Sequence, residues 1–351
     1  MLGQRLGRYV VVEKIGEGGM GLVYRAHDQH LERDVALKIL PAGLLADESA
    51  RKRFRREALA LSKLNHPNIA TIFDFDTQEN IDFLVMELIH GAPLNNRLKD
   101  GALSDDETVR LGVQLGEGLN AAHAQGVIHR DLKPGNLMIT SDGRLKILDL
   151  GLATLLKPAD AMDVTRSVTE PHSVSGTLPY MAPEQLRGEP ADARSDTYSA
   201  GTVLYEMATG QRPFPQTQGA ELIGAILHQT PSPPHTHNQL ITPEFEAVVM
   251  KALDKTPSQR YQTARELLAA LEATSGVTRE ATGTRRAISR GWPWGWVFAS
   301  LGVLLIVGVI VGLSVASLRD RLHRRSAEGR PSVLPVPIKT RRSVAVLGFK
   351  N

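Results

Sequence analysis

His129-Arg130-Asp131-Leu132-Lys133-Pro134-Gly135-Asn136 is the stretch that decides the reading of this chain. It places a proton acceptor, a cation and a metal-binding amide within eight residues. Eighteen positions beyond Asp131 comes Asp149-Leu150-Gly151, at the end of an apolar run (Leu145, Ile147, Leu148) that reads as a strand. Two carboxylates and one amide at loop positions suit a hard, oxygen-seeking ion such as Mg2+.

Upstream, Lys38 ends the apolar run Val35-Ala36-Leu37-Lys38. A lysine there is costly to bury without a partner. Phosphate oxygens or a carboxylate would serve, and Glu57 lies on a helical stretch in Phe54-Arg55-Arg56-Glu57-Ala58. Taken alone, Lys38 fits a snorkelling edge residue equally well, and Glu57 a solvated face. Further upstream, Ile15 precedes Gly16-Glu17-Gly18-Gly19-Met20-Gly21-Leu22-Val23. Glycines at this spacing let backbone N–H groups approach phosphates. By itself the pattern also fits a dinucleotide fingerprint or a plain hairpin turn. A dinucleotide site needs a helix next, whereas Val23 and Tyr24 continue as strand, so the reading shifts to a strand–loop–strand lid. Downstream stands Gly176-Thr177-Leu178-Pro179-Tyr180-Met181-Ala182-Pro183-Glu184.

Around these motifs the chain reads as α+β in two lobes. Strands are expected at 9–15, 35–39 and 83–86, interrupted by a helix over 50–64 whose apolar positions Phe54, Ala58 and Leu61 fall at helical spacing. Helices are expected at 109–125, 195–209, 245–253 and 264–271. Residues 1–275 carry 28 Lys+Arg against 35 Asp+Glu, and residues 276–351 carry 13 against 3. The acidic larger part argues against a nucleic-acid face. Absence of cysteine among the 351 residues excludes a disulfide scaffold and a thiolate zinc site. No apolar core follows a basic start, so no signal peptide is expected. Residues 295–318 carry no charge and are long enough to cross a bilayer, with Trp292, Trp294 and Trp296 at one end. His235-Thr236-His237 offers two imidazoles but no third metal ligand nearby.

Together the four motifs resemble those of the protein-kinase family, over about residues 9–272, and within it the bacterial eukaryotic-type serine/threonine kinases, many of which carry one membrane span after the kinase domain. The resemblance implies a bilobal fold, with a strand-rich lobe at 9–89 and a helical lobe at 90–272. Residues 1–8 would be an N-terminal extension, 273–294 a linker, 295–318 a transmembrane helix, and 319–351 a further linker and the opening of another domain. It implies ATP and Mg2+ as cofactors, proteins with Ser/Thr hydroxyls as substrates, and no nucleic acid. Asp131 would accept the hydroxyl proton and Lys133 stabilise the transferring group. Lys38 would hold the α/β-phosphates and pair with Glu57, and Asn136 and Asp149 would hold Mg2+. The loop from Ile15 to Val23 would cover the nucleotide, with Met86 as gatekeeper and Glu87 and Ile89 offering hinge main chain to adenine. Glu184 would pair with Arg260, and Asp196 would brace the catalytic loop. Leu150 stands where the family usually has Phe, and Pro93 where some members place a polar ribose contact.

Thr165, Ser167, Thr169, Ser173 and Ser175 lie between Asp149 and Glu184. Arg130 beside Asp131 calls for an anion, so autophosphorylation in this segment is expected, Thr169 first, with a homodimer as the arrangement for reaction in trans. Arginines flank the apolar run on both sides, so charge asymmetry does not orient it. The cytosolic location of ATP places the kinase inside the plasma membrane and the tail outside. The competing reading is an inactive pseudokinase acting as scaffold. It is disfavoured because Lys38, Glu57, Asp131, Asn136 and Asp149 are all present.

Overall fold

The computed structural model describes residues 1–18, 21–45, 48–151, 176–217 and 219–283. Gly19 and Met20, the five Ser/Thr positions from Thr165 to Ser175, the apolar run 295–318 and the segment 319–351 lie outside the described residues.

Alternating burial builds the first lobe. β1 (Arg5–Leu6), β2 (Tyr9–Gly18), β3 (Gly21–Asp28), β4 (Arg33–Ile39), β5 (Ile72–Gln78) and β6 (Ile81–Glu87) form an antiparallel sheet in the order β1-β2-β3-β4-β6-β5. Successive side chains of a strand point to opposite faces. Val35 and Leu37 therefore enter one apolar layer with Tyr9, Val11 and Phe83, whereas Ala36 enters a second layer under α1 (Glu48–Leu61). Lys38 follows Ala36 onto that second side, facing the cleft. Phe54, Ala58 and Leu61 seat α1 on the sheet, with the Phe54 and Phe75 rings 4.8 Å apart.

The short β1 was not legible beforehand. Residues 1–8 do not hang outside the domain: Leu6 is fully buried, Arg5 pairs with Val10, and Gly3 N–H donates to Val11 O. α1 also stops at Leu61, three residues before the expected end.

The second lobe is helical. α2 (Leu94–Arg97) leads to α3 (Asp105–Ala124), which Ser104 caps by accepting from Glu107 N–H, with acidic residues in the first turn complementing the helix dipole. α4 (Pro183–Leu186) precedes α5 (Ala193–Thr209), which is buried on nearly all sides and so runs through the lobe's centre. Gly210 ends α5 in the left-handed conformation, φ +70°. α6 (Gly219–His228), α7 (Pro243–Ala252) and α8 (Ala264–Gly283) complete the packing. The expected linker at 273–294 is corrected here, because the helix continues to Gly283. No proline interrupts it, and Thr274 is buried with its hydroxyl donating to Leu271 O. Between the lobes, β7 (Gly91–Pro93), β8 (Leu137–Thr140) and β9 (Leu145–Ile147) form a small sheet. β9 is tied to the first lobe's exit by Ala70 N–H to Ile147 O and Ile147 N–H to Asn68 O. Among the described residues no helix is long and apolar enough to cross a membrane.

Candidate active site

The chain leaving α3 is pinned before it reaches Asp131. Asp196, in the first turn of α5 and 1% exposed, accepts from His129 N–H (2.8 Å) and Arg130 N–H (2.9 Å). This fixes Arg130 at φ +66°, a conformation uncommon outside glycine. Asp131 follows, nearly buried. Its carboxylate meets Lys133 Nζ at 2.9 Å and accepts from Asn136 Nδ2 at 3.0 Å. Lys133 Nζ also donates to Thr177 Oγ1 at 2.7 Å, so the segment leading to Glu184 is held against the catalytic loop.

Leu148 N–H donates to Asn136 O, which lays the end of the β9 segment beside the loop. Asp149 then turns at φ +53°, and Lys38 Nζ reaches its Oδ2 at 2.6 Å. Lys38, Asp131, Asn136 and Asp149, spread over 112 positions, thus come together at the cleft. Asn136 spends its Nδ2 on Asp131, so its amide oxygen could serve as a metal ligand. That oxygen and the Asp149 carboxylate form an all-oxygen donor set, which fits Mg2+ completed by phosphate oxygens and water. Among the described residues no group of three His, Cys, Asp or Glu forms a protein-only metal cage.

Lys38, 4% exposed, takes Asp149 as its counter-ion, and Glu57 forms no ion pair with it among the described residues. Phe54, Ala58 and Leu61 occupy the buried stripe, leaving Glu57 half-buried at its edge. Leu150 is buried and lines a small pocket with Leu61, Leu64 and Met86.

The lid is a β2–β3 hairpin, as the continuing strand required, with Gly16 opposite Val23 and Gly18 opposite Gly21. Gly21 is obligatory on steric grounds: at φ +117° a Cβ would lie 2.0 Å from Ile39 O. Ile15, Glu17 and Leu22 flank the turn. Met86 is buried at the end of β6. Glu87 N–H is used on Thr71 O, and its carboxylate holds Lys146 Nζ at 2.8 Å, a link to β9 that sequence reasoning missed. Ile89 follows between β6 and β7, outside both sheets.

Deeper in the second lobe, Glu184 and Arg260 meet in two parallel bonds of 2.7 and 2.8 Å, fully buried, with Ser195 Oγ also donating to Glu184. Burial alone raises the Glu184 pKa, but the bonds from Arg260 and Ser195 outweigh it and hold the carboxyl below its ordinary value. His235 Nδ1 pairs with Glu246 at 2.7 Å on the surface.

Comparison with known proteins agrees with this geometry. The protein kinase domain matches residues 9–270. The chain is 41% identical over 269 residues to the serine/threonine-protein kinase PknB of Mycolicibacterium smegmatis, covering 75% of this chain and 42% of that protein. It is 39% identical over 269 residues to PknB of Mycobacterium tuberculosis, with the same coverages. It thus spans less than half the length of these relatives. The crystal structure of the Mycobacterium tuberculosis PknI kinase domain shares the fold with a TM-score of 0.61 at 23% identity, over 78% of this chain and 98% of that one. Catalytic loop, paired lobes and sequence kinship agree: the chain belongs to the protein kinase family.

Proposed function

We propose that this chain is an active serine/threonine protein kinase, transferring the ATP γ-phosphoryl group to protein hydroxyls. The observation that supports this reading is the hydrogen-bonded cluster of Asp131, Lys133, Asn136 and Thr177, with the Lys38–Asp149 ion pair following directly on the Leu148–Asn136 main-chain bond. An acceptor hydroxyl placed at Asp131 gives its proton to that carboxylate as its oxygen bonds to the γ-phosphorus. The bond to the ADP oxygen breaks, and the charge leaves with ADP. Lys133, bridging Asp131 and Thr177, is placed to neutralise charge on the moving group. Bound Mg2+ would neutralise phosphate charge at Asn136 and Asp149. Most of the rate then comes from positioning. The intact set counts against the scaffold alternative. The test is incorporation from radiolabelled ATP by wild type, Asp131→Asn and Lys38→Ala proteins. The variants lose turnover on this reading, and equal incorporation by all three overturns it.

The membrane and regulatory parts of the reading rest on sequence. Residues 295–318 cross the plasma membrane once, with the kinase domain cytoplasmic and the tail outside. The uncharged length and the tryptophan cluster support this. Protease accessibility of the tail in intact cells against inverted vesicles tests it. The Ser/Thr-rich segment, Thr169 foremost, is autophosphorylated, in trans within a homodimer. A Thr169→Ala protein with full activity and full phosphorylation of the segment rejects that choice of residue.

A further inference from the structure

We infer that the outer face of α1 is a docking surface for the anionic headgroups of a lipid bilayer. Between positions 48 and 63 the chain carries six Lys+Arg against two Asp+Glu, whereas the remainder of residues 1–275 carries 22 against 33. Cations are thus gathered on one element of an otherwise acidic unit. The helical repeat keeps them away from the core. Phe54, Ala58 and Leu61 are the buried stripe, and Lys52, Arg53, Arg55, Arg56 and Leu59 are exposed, with Lys63 exposed in the turn that follows. Arg51 lies nearer the sheet and is taken by Asp82 at 3.2 Å. Lys52 meets Glu48 at 3.7 Å in an exposed pair. Arg53, Arg55, Arg56 and Lys63 form no ion pair among the described residues.

Lys52–Arg55, Lys52–Arg56 and Arg53–Arg56 are like-charge neighbours at i,i+3 and i,i+4, a spacing that weakens a helix standing in water. An anionic surface reverses the sign of that effect. Guanidinium groups bind phosphate oxygens in a two-pronged fork, and phosphate is what a lipid headgroup presents. Leu59, 48% exposed among the cations, supplies the apolar contact that an interfacial helix sets below the headgroups. An acidic protein would also match the charge. The tether favours the bilayer, and here the inference rests on the membrane reading proposed above. α8 ends at Gly283 and the apolar run begins at 295, and the connecting residues 284–294 reach at most about 40 Å when fully extended. The folded unit therefore stays close to the headgroups, and its basic face meets them at high effective concentration. From the buried side of the same helix, Leu61 lines the pocket that also holds Asp149 and Leu150. A bilayer on the outer face thus holds α1 from the side opposite the site.

The test places the full chain in phosphatidylcholine vesicles, with or without about one third phosphatidylglycerol, and with a nitroxide quencher on some of the headgroups. The chain has no cysteine, so Ala60→Cys, exposed at the edge of the face, takes a single fluorescent label. The expected result is about twofold quenching of that label in the anionic vesicles and less than about 10% in the zwitterionic ones, with the quenching reversed by about 0.5 M salt. Adding Arg55→Gln, Arg56→Gln and Lys63→Gln together should reverse it as well. The salt arm uses the unaltered cations and decides the matter if the triple variant does not fold. A label at Leu240→Cys, 82% exposed in the second lobe, should stay unquenched in both mixtures. Equal quenching of the Ala60→Cys label in both lipid mixtures, or none in either, overturns the inference. So does equal quenching at positions 60 and 240, which would mean that the tether alone brings the unit to the surface. A label silent in anionic vesicles but responsive to added polyglutamate assigns the face to an acidic protein and overturns it too. If the full chain does not insert into vesicles, the membrane reading fails. Quenching of the unanchored chain by added anionic vesicles then decides this inference: its presence upholds the docking face and its absence overturns it.

Discussion

Lys38 Nζ lies 2.6 Å from Asp149 Oδ2, although 111 positions separate the two residues in the chain. Both are largely shielded, at 4% and 17% side-chain exposure, so each compensates the other for lost hydration. The pair also joins the two lobes, since Lys38 belongs to β4 and Asp149 follows β9. Stability and chemistry should therefore be coupled at this point. Lys38→Met and Asp149→Asn should each abolish turnover and each lower stability. The double variant should lose less than the two singles together, by about 1–3 kcal/mol. Urea unfolding of the four proteins measures this, and strict additivity would show that the contact carries no stability.

Glu184 and Arg260 should set the acid limit of the fold. Removing Arg260 leaves a buried carboxylate alone, so Arg260→Ala should cost about 3–5 kcal/mol. Because the folded pKa of Glu184 lies below its unfolded value of about 4.3, the pair's contribution is complete above that pH and is lost as pH falls through the lower, folded value. Glu184→Gln should flatten this acid limb of melting temperature against pH while leaving the slope near neutrality unchanged. An acid limb as steep as wild type in the Gln variant counts against the assignment.

Glu206 presents the opposite sign. Burial raises its pKa, and the Tyr180 hydroxyl (2.6 Å) and Arg212 offset this only in part. A carboxyl with a raised folded pKa destabilises the fold progressively as pH rises through that range. Glu206→Gln keeps an acceptor for Tyr180 and removes the charge. It should melt at a higher temperature than wild type at pH 7, with the gain shrinking toward pH 4. A lower melting temperature at both pH values would mean that the Arg212 contact outweighs burial.

The parts of this molecule that were legible in advance are those whose signal is local. The eight residues from His129 to Asn136 carry their own order, and the alternation in β4 puts Lys38 on the α1 side without further information. The strand after Gly21 settled the lid. What stayed hidden depends on how separate elements seat. Lys38 finds Asp149 across 111 positions, a contact that no local pattern announces. β1 is two residues long, too short for any periodicity to show. His123 and Lys146 are single polar residues on otherwise ordinary elements, and only the fold brings them to Asp196 and Glu87.

Lys255 supplies a test in the alkaline range. Its Nζ is buried 4.1 Å from the centre of the Phe214 ring, with no hydrogen-bond partner among the described residues. Burial, and after it the nearby Arg260 charge, push its pKa down to about 8, with Asp254 acting weakly the other way. Between that value and the unfolded value of about 10.4, the unfolded chain holds more protons than the folded one, so stability gains with rising pH across this window. Other lysines and tyrosines titrate there too, so the informative quantity is the difference between wild type and Lys255→Met. Methionine keeps the stem and the contact with the ring and removes the ammonium. The variant should be the more stable protein at pH 7, and its advantage should shrink steadily from about pH 8 to about pH 10. The cation–π contact with Phe214 works against this outcome. A variant that is less stable at pH 7, with a deficit that closes as pH rises, would show that the ring more than compensates the ammonium for its lost water.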